Sequence, residues 1–501
     1  MTAATRYDAL SYLAGNAARR GGATAVLDQD EAIDFDRLLA AVRALLADLH
    51  QRGVQPGDVV AVAMPSVWRY VALELAIPAL GAILLPIPLG VGRREVDAVL
   101  ARTGAKLAIV SDAPHIAAAA NAANAAVLAP ETLATAVAPG PVPAPAPPQP
   151  DRIVEIAMTS GTTGLPKLAA LSAELKQVTF EGFTSRLRLG PGDRVLPTSP
   201  ITQGVGAMCL YALRTGAALV MLHEPRFAAD RAIALTAATA TTVLAGVPTT
   251  IGRMLTSPAL AGADLRALRA TLSAGAPLPR QVAEAWERRT GSRVCSFYGA
   301  MDIGQLAVPS PEDPAEKRWT TVGRPHDRAE LLICDPAGRP LPPGAEGEIC
   351  MRGPLVQNRY WGEAHGPFAE DGWAHFGDLG VLDPDGYLRI TGRIKDTIIR
   401  GGNNVNPLEV EDLLRACAEI EDACVVARPD RDLGERAVAF LVPADGARPG
   451  LDEVVAHLER AQLARYKWPE HVELIDALPT GVTGKVDRGA LRERAAHLEG
   501  S

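Results

Sequence analysis

The sequence predicts an α/β fold in which helices and strands alternate along most of the chain, followed by a small α+β region. Three observations predict it. Short apolar runs end repeatedly in turn residues, as buried strands do. Amphipathic segments stand between them, such as an alanine-rich helix predicted over residues 36–50. With 501 residues the chain is too long for one ordinary core, so we expect layered sheets and helices in two or more domains.

The predicted strands of the large N-terminal part are short and apolar. They are residues 58–65 and 107–112 and the segments ALVMLH, TVLAGVP, IVEIAM and ELLICDP. A longer apolar run covers residues 70–90, but it contains Glu74 and three prolines. This composition favours a buried helix followed by a buried strand over a membrane span. Residues 139–150 are rich in proline and alanine, which predicts an extended surface linker.

The last hundred residues predict a small α+β domain. Asn406 is a suitable N-cap, Pro407 suits the first helical position, and Glu409 and Glu411 complement the helix dipole. Strand patterns follow at ACVVARP and RAVAFLVP. The apolar face of the predicted helix consists of Val410, Leu413, Leu414 and Cys417.

Composition and charge exclude several classes of protein. The formal net charge of −8 gives no basic footprint for nucleic acid. Six cysteines are scattered without a CxxC pair, which argues against a zinc site or a disulfide framework and fits a reducing cytoplasm. The N-terminal residues lack the basic and apolar pattern of a signal peptide, and we expect no membrane span.

The segment MTSGTTGLPK, residues 158–167, concentrates glycines, hydroxyls and one lysine in a single turn. Backbone N–H groups and hydroxyls in such a turn suit phosphate oxygens, and Lys167 supplies positive charge. The turn is a poor match to a Walker-type loop, because Gly161 and Gly164 stand too close together and Pro166 precedes the lysine.

Four further strings follow in order along the chain: FYGAMD (297–302), GWAHFGDLGVLDPDGYLRITGRIKD (372–396), IIRGGNNVNPLEVE (398–411) and LPTGVTGKVDR (478–488). Together with SGTTGLPK they resemble the motifs of the adenylate-forming superfamily, which includes acyl-CoA synthetases, aryl-acid ligases, peptide-synthetase adenylation domains and luciferases. The chain is most similar to an acyl- or aryl-CoA ligase. The resemblance implies an N-terminal domain over 1–394 and a small mobile C-terminal lid over 395–501, with the hinge near Lys395.

The resemblance also implies the reaction. A carboxylic acid would react with ATP to give an acyl-adenylate and pyrophosphate, and the acyl group would then pass to the thiol of coenzyme A. ATP, Mg²⁺ and CoA are the implied cofactor and co-substrates. Lys485 would bridge the carboxylate and the α-phosphate, and Lys167 would hold the outer phosphates with the loop that precedes it.

The other implied site residues follow from the matching strings. Asp378 would accept hydrogen bonds from the ribose hydroxyls with support from Arg393, and Tyr298 would lie against adenine opposite the turn SAGAP. Asp302 would be the Mg²⁺ ligand, and the thiol would pass Gly401 and Gly402. The remaining residues implied for ATP or AMP binding are Thr159, Ser160, Gly161, Thr162, Thr163, Gly164, Ala274, Gly275, Ala276, Pro277, Gly299, Ala300, Met301 and Ile390. The implied acid pocket consists of Gln203, Gly204, Ala207, Met208, Val247 and Gly304.

Five positions depart from the family pattern. Two of them, Thr480 and Gly481, stand where the lysine motif commonly has a basic residue and a threonine. Met301 replaces a threonine that gives a hydroxyl to the α-phosphate, and Asp302 replaces a longer glutamate. Gln203 stands where the family has an aromatic residue or histidine. These changes favour a specialised member, of the kind found in secondary metabolism, and we prefer an aromatic or cyclic acid as the substrate.

Three alternatives stay open. The enzyme could load a carrier protein instead of CoA, and it could divert adenylation to another nucleophile, such as nitrite in diazotisation of an arylamine. It could also be a catalytically silent homologue, although Lys167, Asp378 and Lys485 are all present. A homodimer is compatible with the resemblance, and no nucleic-acid partner is expected.

Overall fold

The computed structural model describes residues 8–29, 31–135, 143–147, 149–159, 165–202, 204–223, 227–300, 304–356, 359–363, 372–480 and 486–498. The chain divides into two compact units. The first unit comprises Met1–Leu278, Val282–Glu330 and Arg352–Ala374, and the second comprises Pro279–Gln281, Leu331–Met351 and His375–Ser501.

Helices occur in both units, and most of them stand between strands in the chain. The α-helices are α1 (Ala9–Arg20), α2 (Phe35–Gln51), α3 (Trp68–Ala79), α4 (Arg93–Thr103), α5 (Pro114–Ala122), α6 (Ala173–Arg186), α7 (Gly204–Cys209), α8 (Ala229–Ala238), α9 (Pro248–Thr256), α10 (Arg280–Thr290), α11 (Ala315–Thr320), α12 (Pro407–Arg415), α13 (Leu451–Arg460) and α14 (Arg488–Ala496). Helix α2 confirms the amphipathic helix predicted over residues 36–50.

The strands are mostly short. They are β1 (Thr24–Asp28), β2 (Glu31–Asp34), β3 (Val59–Ala63), β4 (Ile83–Pro86), β5 (Leu107–Val110), β6 (Ala126–Leu128), β7 (Ile153–Thr159), β8 (Lys167–Ser172), β9 (Arg194–Pro197), β10 (Ala218–Met221), β11 (Val243–Gly246), β12 (Ala270–Ser273), β13 (Arg293–Ser296), β14 (Tyr298–Ala300), β15 (Gly304–Val308), β16 (Arg324–Pro325), β17 (Glu330–Cys334), β18 (Glu346–Arg352), β19 (Arg359–Tyr360), β20 (Ala374–Leu382), β21 (Leu388–Arg393), β22 (Ile398–Arg400), β23 (Asn403–Val405), β24 (Ile420–Asp430), β25 (Gly434–Pro443) and β26 (His471–Leu474). Every strand predicted from an apolar run is present.

Two seven-stranded sheets form the framework of the first unit. The first has the order β13-β12-β11-β9-β10-β1-β2 and is parallel except for the edge strand β2. The second has the order β19-β8-β7-β4-β3-β5-β6, and its strands β8 and β19 are antiparallel to their neighbours. A small antiparallel sheet, β14-β15-β16, completes the unit. Because six strands of the first sheet run the same way, their carboxyl ends share one edge.

Both large sheets are buried on both faces. In β3, Val60 and Val62 pack into the core that holds α2 and α3, whereas Val59 and Ala61 face α4 and α5. In the first sheet, Leu244 of β11 lies in a separate core beneath α8, α9 and α10. Strands that are buried on both faces read as continuous apolar runs, which is why the sequence reveals them.

The apolar run over residues 70–90 forms a buried helix and a buried strand, as predicted. Helix α3 ends at Ala79 and strand β4 begins at Ile83. Glu74 is buried inside α3, and its carboxylate lies 3.4 Å from the ammonium of Lys176. Among the helices that the structure describes, none is long and apolar enough to cross a membrane.

The second unit contains a four-stranded sheet, β17-β18-β20-β21, and a five-stranded sheet in which β26 joins the order β23-β22-β25-β24. Side chains of β24 alternate between two cores: Val425 packs with α12 and α13, and Val426 packs with α14. Helix α12 begins as predicted, because the Asn406 side chain accepts a hydrogen bond from the Leu408 N–H at 3.1 Å.

The layered α/β class with a smaller C-terminal α+β domain is confirmed. The four-stranded sheet groups with the C-terminal residues although all four of its strands precede residue 394. The predicted boundary between residues 394 and 395 marks the hinge about which the lid would rotate. A division of the chain by contacts does not locate a hinge, so this boundary stays a prediction.

Of the predicted linker over 139–150, residues 143–147 and 149–150 form no helix or strand, and the Ala146 N–H donates to the Ala79 carbonyl at 2.8 Å.

Candidate active site

The carboxyl edge of the first sheet brings together several predicted site segments. Ser296, Ser273 and Gly246 are register partners at the ends of β13, β12 and β11. Thr198, directly after β9, reaches the same level and donates its N–H to the Ala245 carbonyl at 2.7 Å. Ligands of parallel α/β sheets bind outside the carboxyl ends of the strands. This edge is therefore the candidate site of the first unit.

The turn after β12 carries the predicted residues Ala274, Gly275, Ala276 and Pro277. The Ala274 N–H donates to the Gly246 carbonyl at 3.1 Å, which fixes the start of the turn. Gly275 has a φ of +89°, a left-handed conformation that favours glycine. Residues 275–277 are exposed. The turn thus presents backbone at the edge of the sheet, as the adenine-binding prediction requires.

Ser273 precedes that turn and is fully buried. Its Oγ has no hydrogen-bond partner within the part of the chain that the structure describes. A buried hydroxyl without a partner is uncommon in folded proteins. Its place at the carboxyl edge makes it a polar group that a bound ligand or water could satisfy.

Tyr298 and Gly299 belong to the tight hairpin of β14 and β15. Ala300 pairs with Gly304 across that hairpin, and Gly299 pairs with Gln305. A Cβ atom on Gly299 would lie 2.4 Å from the Gly304 carbonyl oxygen, so only glycine fits there. Tyr298 is half-buried directly after the Phe297 that follows β13.

The two residues predicted for the metal site and the α-phosphate contact belong to the connection between β14 and β15. Met301 and Asp302 lie outside the described residues, between the paired Ala300 and Gly304. The Mg²⁺ ligand and the missing threonine hydroxyl therefore stay predictions.

The predicted phosphate loop joins the two strands of another hairpin. Thr159 at the end of β7 and Lys167 at the start of β8 are register partners. Lys167 is exposed, and its Nζ lies 4.9 Å from the centroid of the Tyr360 ring. No carboxylate lies within 4.0 Å of this ammonium among the described residues. The foot of the loop thus offers an ammonium group to an anion.

The loop residues themselves, Ser160, Gly161, Thr162, Thr163 and Gly164, lie outside the described residues.

One anchor of the loop was not predicted. The guanidinium of Arg102, at the end of α4, donates to the Pro166 carbonyl at 2.9 Å. This contact spans 64 residues, so no local pattern reveals it.

Asp378 and Arg393 face each other in the second unit. They are register partners on β20 and β21, and the Arg393 Nε lies 2.7 Å from the Asp378 Oδ1. The Asp378 side chain is 7% exposed and that of Arg393 is 50% exposed. The pairing brings together the two residues predicted to hold the ribose. Ile390 is half-buried on β21, opposite Gly380.

Glu348 of β18 supports the residues just before Asp378, and the sequence did not single it out. Its Oε1 accepts a hydrogen bond from the Gly377 N–H at 3.1 Å, and its Oε2 lies 2.9 Å from the His375 Nδ1. Gly377 has a φ of +68°. Glu348 therefore fixes the backbone that leads into the ribose candidate.

The two glycines predicted to line the path of the CoA thiol are required by the local backbone conformation. Gly401 and Gly402 form a two-residue turn between the partners Arg400 and Asn403, with φ of +55° and +83°. Two-residue hairpins with positive φ at both central positions require glycine or asparagine. Lys395 is exposed in a short 3₁₀ turn, Ile394–Asp396. The hinge and thiol roles stay predictions.

The predicted acid pocket is described in part. Ala207 and Met208 are half-buried on α7, which begins at Gly204 with a φ of +53°. Val247 is half-buried at the start of α9, directly after β11. Gln203 lies outside the described residues. Helix α7 thus follows β9 near the same carboxyl edge as Val247.

The space next to Gly304, where a side chain would project, is already filled by a side chain of helix α6. Its φ is +66°, and a Cβ there would lie 2.3 Å from the Thr179 Oγ1. The small residue serves the backbone turn and the packing of α6, and its role in an acid pocket stays a prediction.

A histidine and an aspartate at the same carboxyl edge were not predicted. Asp28 ends β1 opposite Met221 of β10, and the His223 Nε2 is hydrogen-bonded to its Oδ1. The Asp28 Oδ2 accepts the Trp68 N–H at 2.7 Å. The two residues are 195 positions apart, which hides the pair from any sequence pattern.

Lys485, the predicted catalytic lysine, lies outside the described residues. Thr480 and Val486, on either side of its segment, form an isolated antiparallel bridge. None of the six cysteines, all of which lie in the described part of the chain, forms a disulfide.

Comparison with known proteins gives consistent matches over nearly the whole chain. The family model for AMP-binding enzymes matches residues 13–361, and the model for the AMP-binding enzyme C-terminal domain matches residues 409–485. The chain is 33% identical over 476 residues to the feruloyl-CoA synthase of an Amycolatopsis species, which covers 94% of this chain and 96% of that protein. It is 30% identical over 490 residues to the fatty acid–[acyl-carrier-protein] ligase ScoC of Streptomyces coeruleorubidus, covering 94% and 93%. The crystal structure of ATP-bound MatB from Rhodopseudomonas palustris matches with a TM-score of 0.88 at 28% identity, covering 98% of this chain and 99% of that one.

Proposed function

Because this chain belongs to the family of AMP-binding enzymes, we propose that it activates a carboxylic acid with ATP and then transfers the acyl group to the thiol of coenzyme A. In the first step a carboxylate oxygen attacks the α-phosphorus of ATP, and pyrophosphate leaves. In the second step the thiol sulfur attacks the acyl carbon, loses its proton, and AMP leaves. The observation that carries the proposal is the hairpin that joins Thr159 to Lys167, with its exposed ammonium.

The first step concentrates negative charge on the phosphates, so positioned cations and N–H donors do most of the catalytic work. Lys167 and the loop before it would hold the β- and γ-phosphates. Lys485 would bridge the carboxylate and the α-phosphate, and this role rests on the family resemblance.

Mg²⁺ prefers hard oxygen ligands, and Asp302 would supply one. The ion would neutralise charge on the phosphates.

The nucleoside would be held by two kinds of group. In the first unit, the exposed turn 274–277 and Tyr298 would contact adenine. In the second unit, the Asp378 carboxylate would accept hydrogen bonds from the ribose hydroxyls. Its ion pair with Arg393 orients it for that purpose.

The substrate is proposed to be an aromatic or cyclic carboxylic acid, and the acceptor CoA. The similarity to a feruloyl-CoA synthase supports both choices. A second candidate, the loading of a carrier protein, is favoured by the similarity to an acyl-carrier-protein ligase over 94% of the chain.

Acid-dependent exchange of label between pyrophosphate and ATP tests the first step. We expect exchange with a subset of a panel of aromatic, alicyclic and straight-chain acids in the presence of Mg²⁺. The best acid is then offered free CoA or a phosphopantetheinylated carrier protein. Saturation by CoA supports the proposal, whereas product on the carrier alone supports the second candidate.

Absence of exchange with every acid would contradict the proposal. AMP release with an arylamine and nitrite would then identify diverted chemistry, and no AMP under any condition would identify a silent homologue.

Two narrower properties follow as proposals. Cysteines that form no disulfide support a cytoplasmic location, which fractionation of the producing cells would test. Light scattering after size-exclusion chromatography would decide whether the protein is the homodimer that the resemblance allows.

A further inference from the structure

Three side chains with different donor atoms meet on one face of the four-stranded sheet. Glu348 and Cys350 are two positions apart on β18, so their side chains point to the same face. His375 lies on β20, the neighbouring strand in the sheet. One carboxylate oxygen, the Cys350 Sγ and one ring nitrogen of His375 all lie within 4.8 Å of one another.

The sulfur–nitrogen distance matches the edge of a tetrahedral zinc site, whereas the nitrogen–oxygen distance is shorter than such an edge. The Cys350 Sγ lies 3.5 Å from the His375 Nδ1, and that nitrogen lies 2.9 Å from the Glu348 Oε2. Bond lengths typical of Zn²⁺ place sulfur and nitrogen ligands about 3.6 Å apart, and nitrogen and oxygen ligands about 3.4 Å apart. The sulfur and nitrogen already have this spacing. The carboxylate oxygen needs to move by only about 0.5 Å to give up its hydrogen bond for a metal bond.

The surroundings support the three donors. The Glu348 Oε1 is held by the Gly377 N–H, which leaves Oε2 directed at the histidine ring. Metal ligands are commonly oriented by such outer hydrogen bonds. Cys350 is fully buried, whereas the His375 side chain is 35% exposed and gives an ion access from solvent.

We propose that Glu348, Cys350 and His375 bind one Zn²⁺ ion, with water as the fourth ligand. A donor set of one sulfur, one nitrogen and one oxygen suits Zn²⁺ and excludes Mg²⁺, which prefers oxygen alone. Binding releases the thiol proton of Cys350 to solvent, because the thiolate is the ligand form. Its ligands do not include Asp302, the proposed Mg²⁺ ligand. Because it uses a single cysteine, it lacks the CxxC pair whose absence argued against a zinc site in the sequence.

Cobalt(II) is the probe that tests the site, because a Co²⁺–thiolate bond gives intense near-ultraviolet absorption and tetrahedral Co²⁺ gives visible bands. Tag-free, chelator-treated full-length protein is titrated with Co²⁺ in the absence of ATP and acid. We expect saturation at one equivalent and loss of the absorption when Zn²⁺ is added. No thiolate absorption at any Co²⁺ concentration would overturn the proposal.

Variants locate the ion. Cys350→Ser and His375→Gln should abolish the thiolate absorption, whereas the matched control Cys417→Ser, at a half-buried cysteine elsewhere in the same unit, should retain it. Absorption that persists in Cys350→Ser, or is lost equally in Cys417→Ser, would contradict the assignment.

A measurement on the unmodified protein covers the case in which a variant does not fold. X-ray absorption of the Zn²⁺-loaded protein should show one sulfur and nitrogen or oxygen neighbours. A shell without sulfur would exclude Cys350 as a ligand and overturn the proposal. Each of these measurements is independent of ligase activity.

Discussion

The carboxyl edge of the first sheet and the hairpin of β20 and β21 carry different kinds of candidate nucleotide-binding group. At the carboxyl edge of the first sheet the candidate groups are backbone atoms of tight turns, and the glycines there are required by conformation or by close packing. Gly275 has a left-handed φ, and Gly299 has no room for a Cβ. In the hairpin of β20 and β21 the candidate group is a charged side chain, Asp378, held by the ion pair with Arg393.

The difference predicts how each region responds to mutation. A charged side chain makes one or two strong hydrogen bonds, so its removal affects binding directly. Backbone groups survive side-chain changes and are lost only when the turn itself is displaced. Side-chain deletions in the second unit should therefore have larger and more selective effects than substitutions in the turns of the first.

The largest effect is expected for Lys485→Ala, which removes a cation from the second unit. A charged donor aimed at developing negative charge contributes about 100- to 1,000-fold in rate. We expect acid-dependent pyrophosphate exchange to fall by at least that factor, while thioester formation from supplied acyl-adenylate is largely retained. An equal fall in both half-reactions would show that the lysine does not have this role.

A smaller but still large effect is expected for Asp378→Ala. Loss of two hydrogen bonds to a charged acceptor, at about 1.5 kcal/mol each, corresponds to about a 100-fold rise in the KM for ATP in the exchange assay. The control Asp378→Asn keeps an acceptor oxygen and should raise KM by about 10-fold. A KM for Asp378→Ala near that of the wild type would remove this residue from the nucleotide site.

Sequence patterns predicted those parts of the molecule whose causes are local. The start of α12 depends on the cap at Asn406, and the helix and strand within residues 70–90 follow from a continuous apolar run broken by prolines. The site segments were predicted from their resemblance to family motifs. Hydrophobic periodicity could not reveal them, because these residues lie in turns.

Contacts between distant strands could not be predicted in this way. Glu348 meets Gly377 across 29 residues, and Asp28 meets His223 across 195. Such pairs depend on which strands become neighbours in a sheet, and strand order is not encoded in the pattern of any one strand. The sequence also did not show why glycines occupy positions 401 and 402, because the two-residue turn is recognised only when β22 is seen to pair with β23.

A moderate effect is expected for Gly275→Ala in the turn of the first unit. A residue other than glycine at a φ of +89° costs about 1–3 kcal/mol, which the turn can relieve by moving its exposed backbone. We expect the KM for ATP to rise by about 10-fold, less than for Asp378→Ala. The control Gly262→Ala, where a Cβ would meet nothing within 4 Å, should leave the KM unchanged. A larger effect at Gly275 than at Asp378 would reverse the comparison between the two regions.

The smallest effect on the adenylation step is expected for Gly402→Ala. This variant tests whether Gly402 is needed for the hairpin turn or for the path of the CoA thiol. A Cβ there would meet nothing within 4 Å, but its φ of +83° makes alanine unfavourable by about 1–2 kcal/mol. We expect lower thermal stability and unchanged pyrophosphate exchange in Gly402→Ala. Stability should recover in Gly402→Asn, because asparagine tolerates this conformation.

The rate of acyl transfer from supplied acyl-adenylate to CoA then decides the role of Gly402. If Gly402→Asn is as stable as the wild type and transfers at the normal rate, the glycine serves the turn alone. If it is stable but transfers slowly, the thiol needs the space that glycine leaves, and the backbone of the second unit also contributes directly to catalysis.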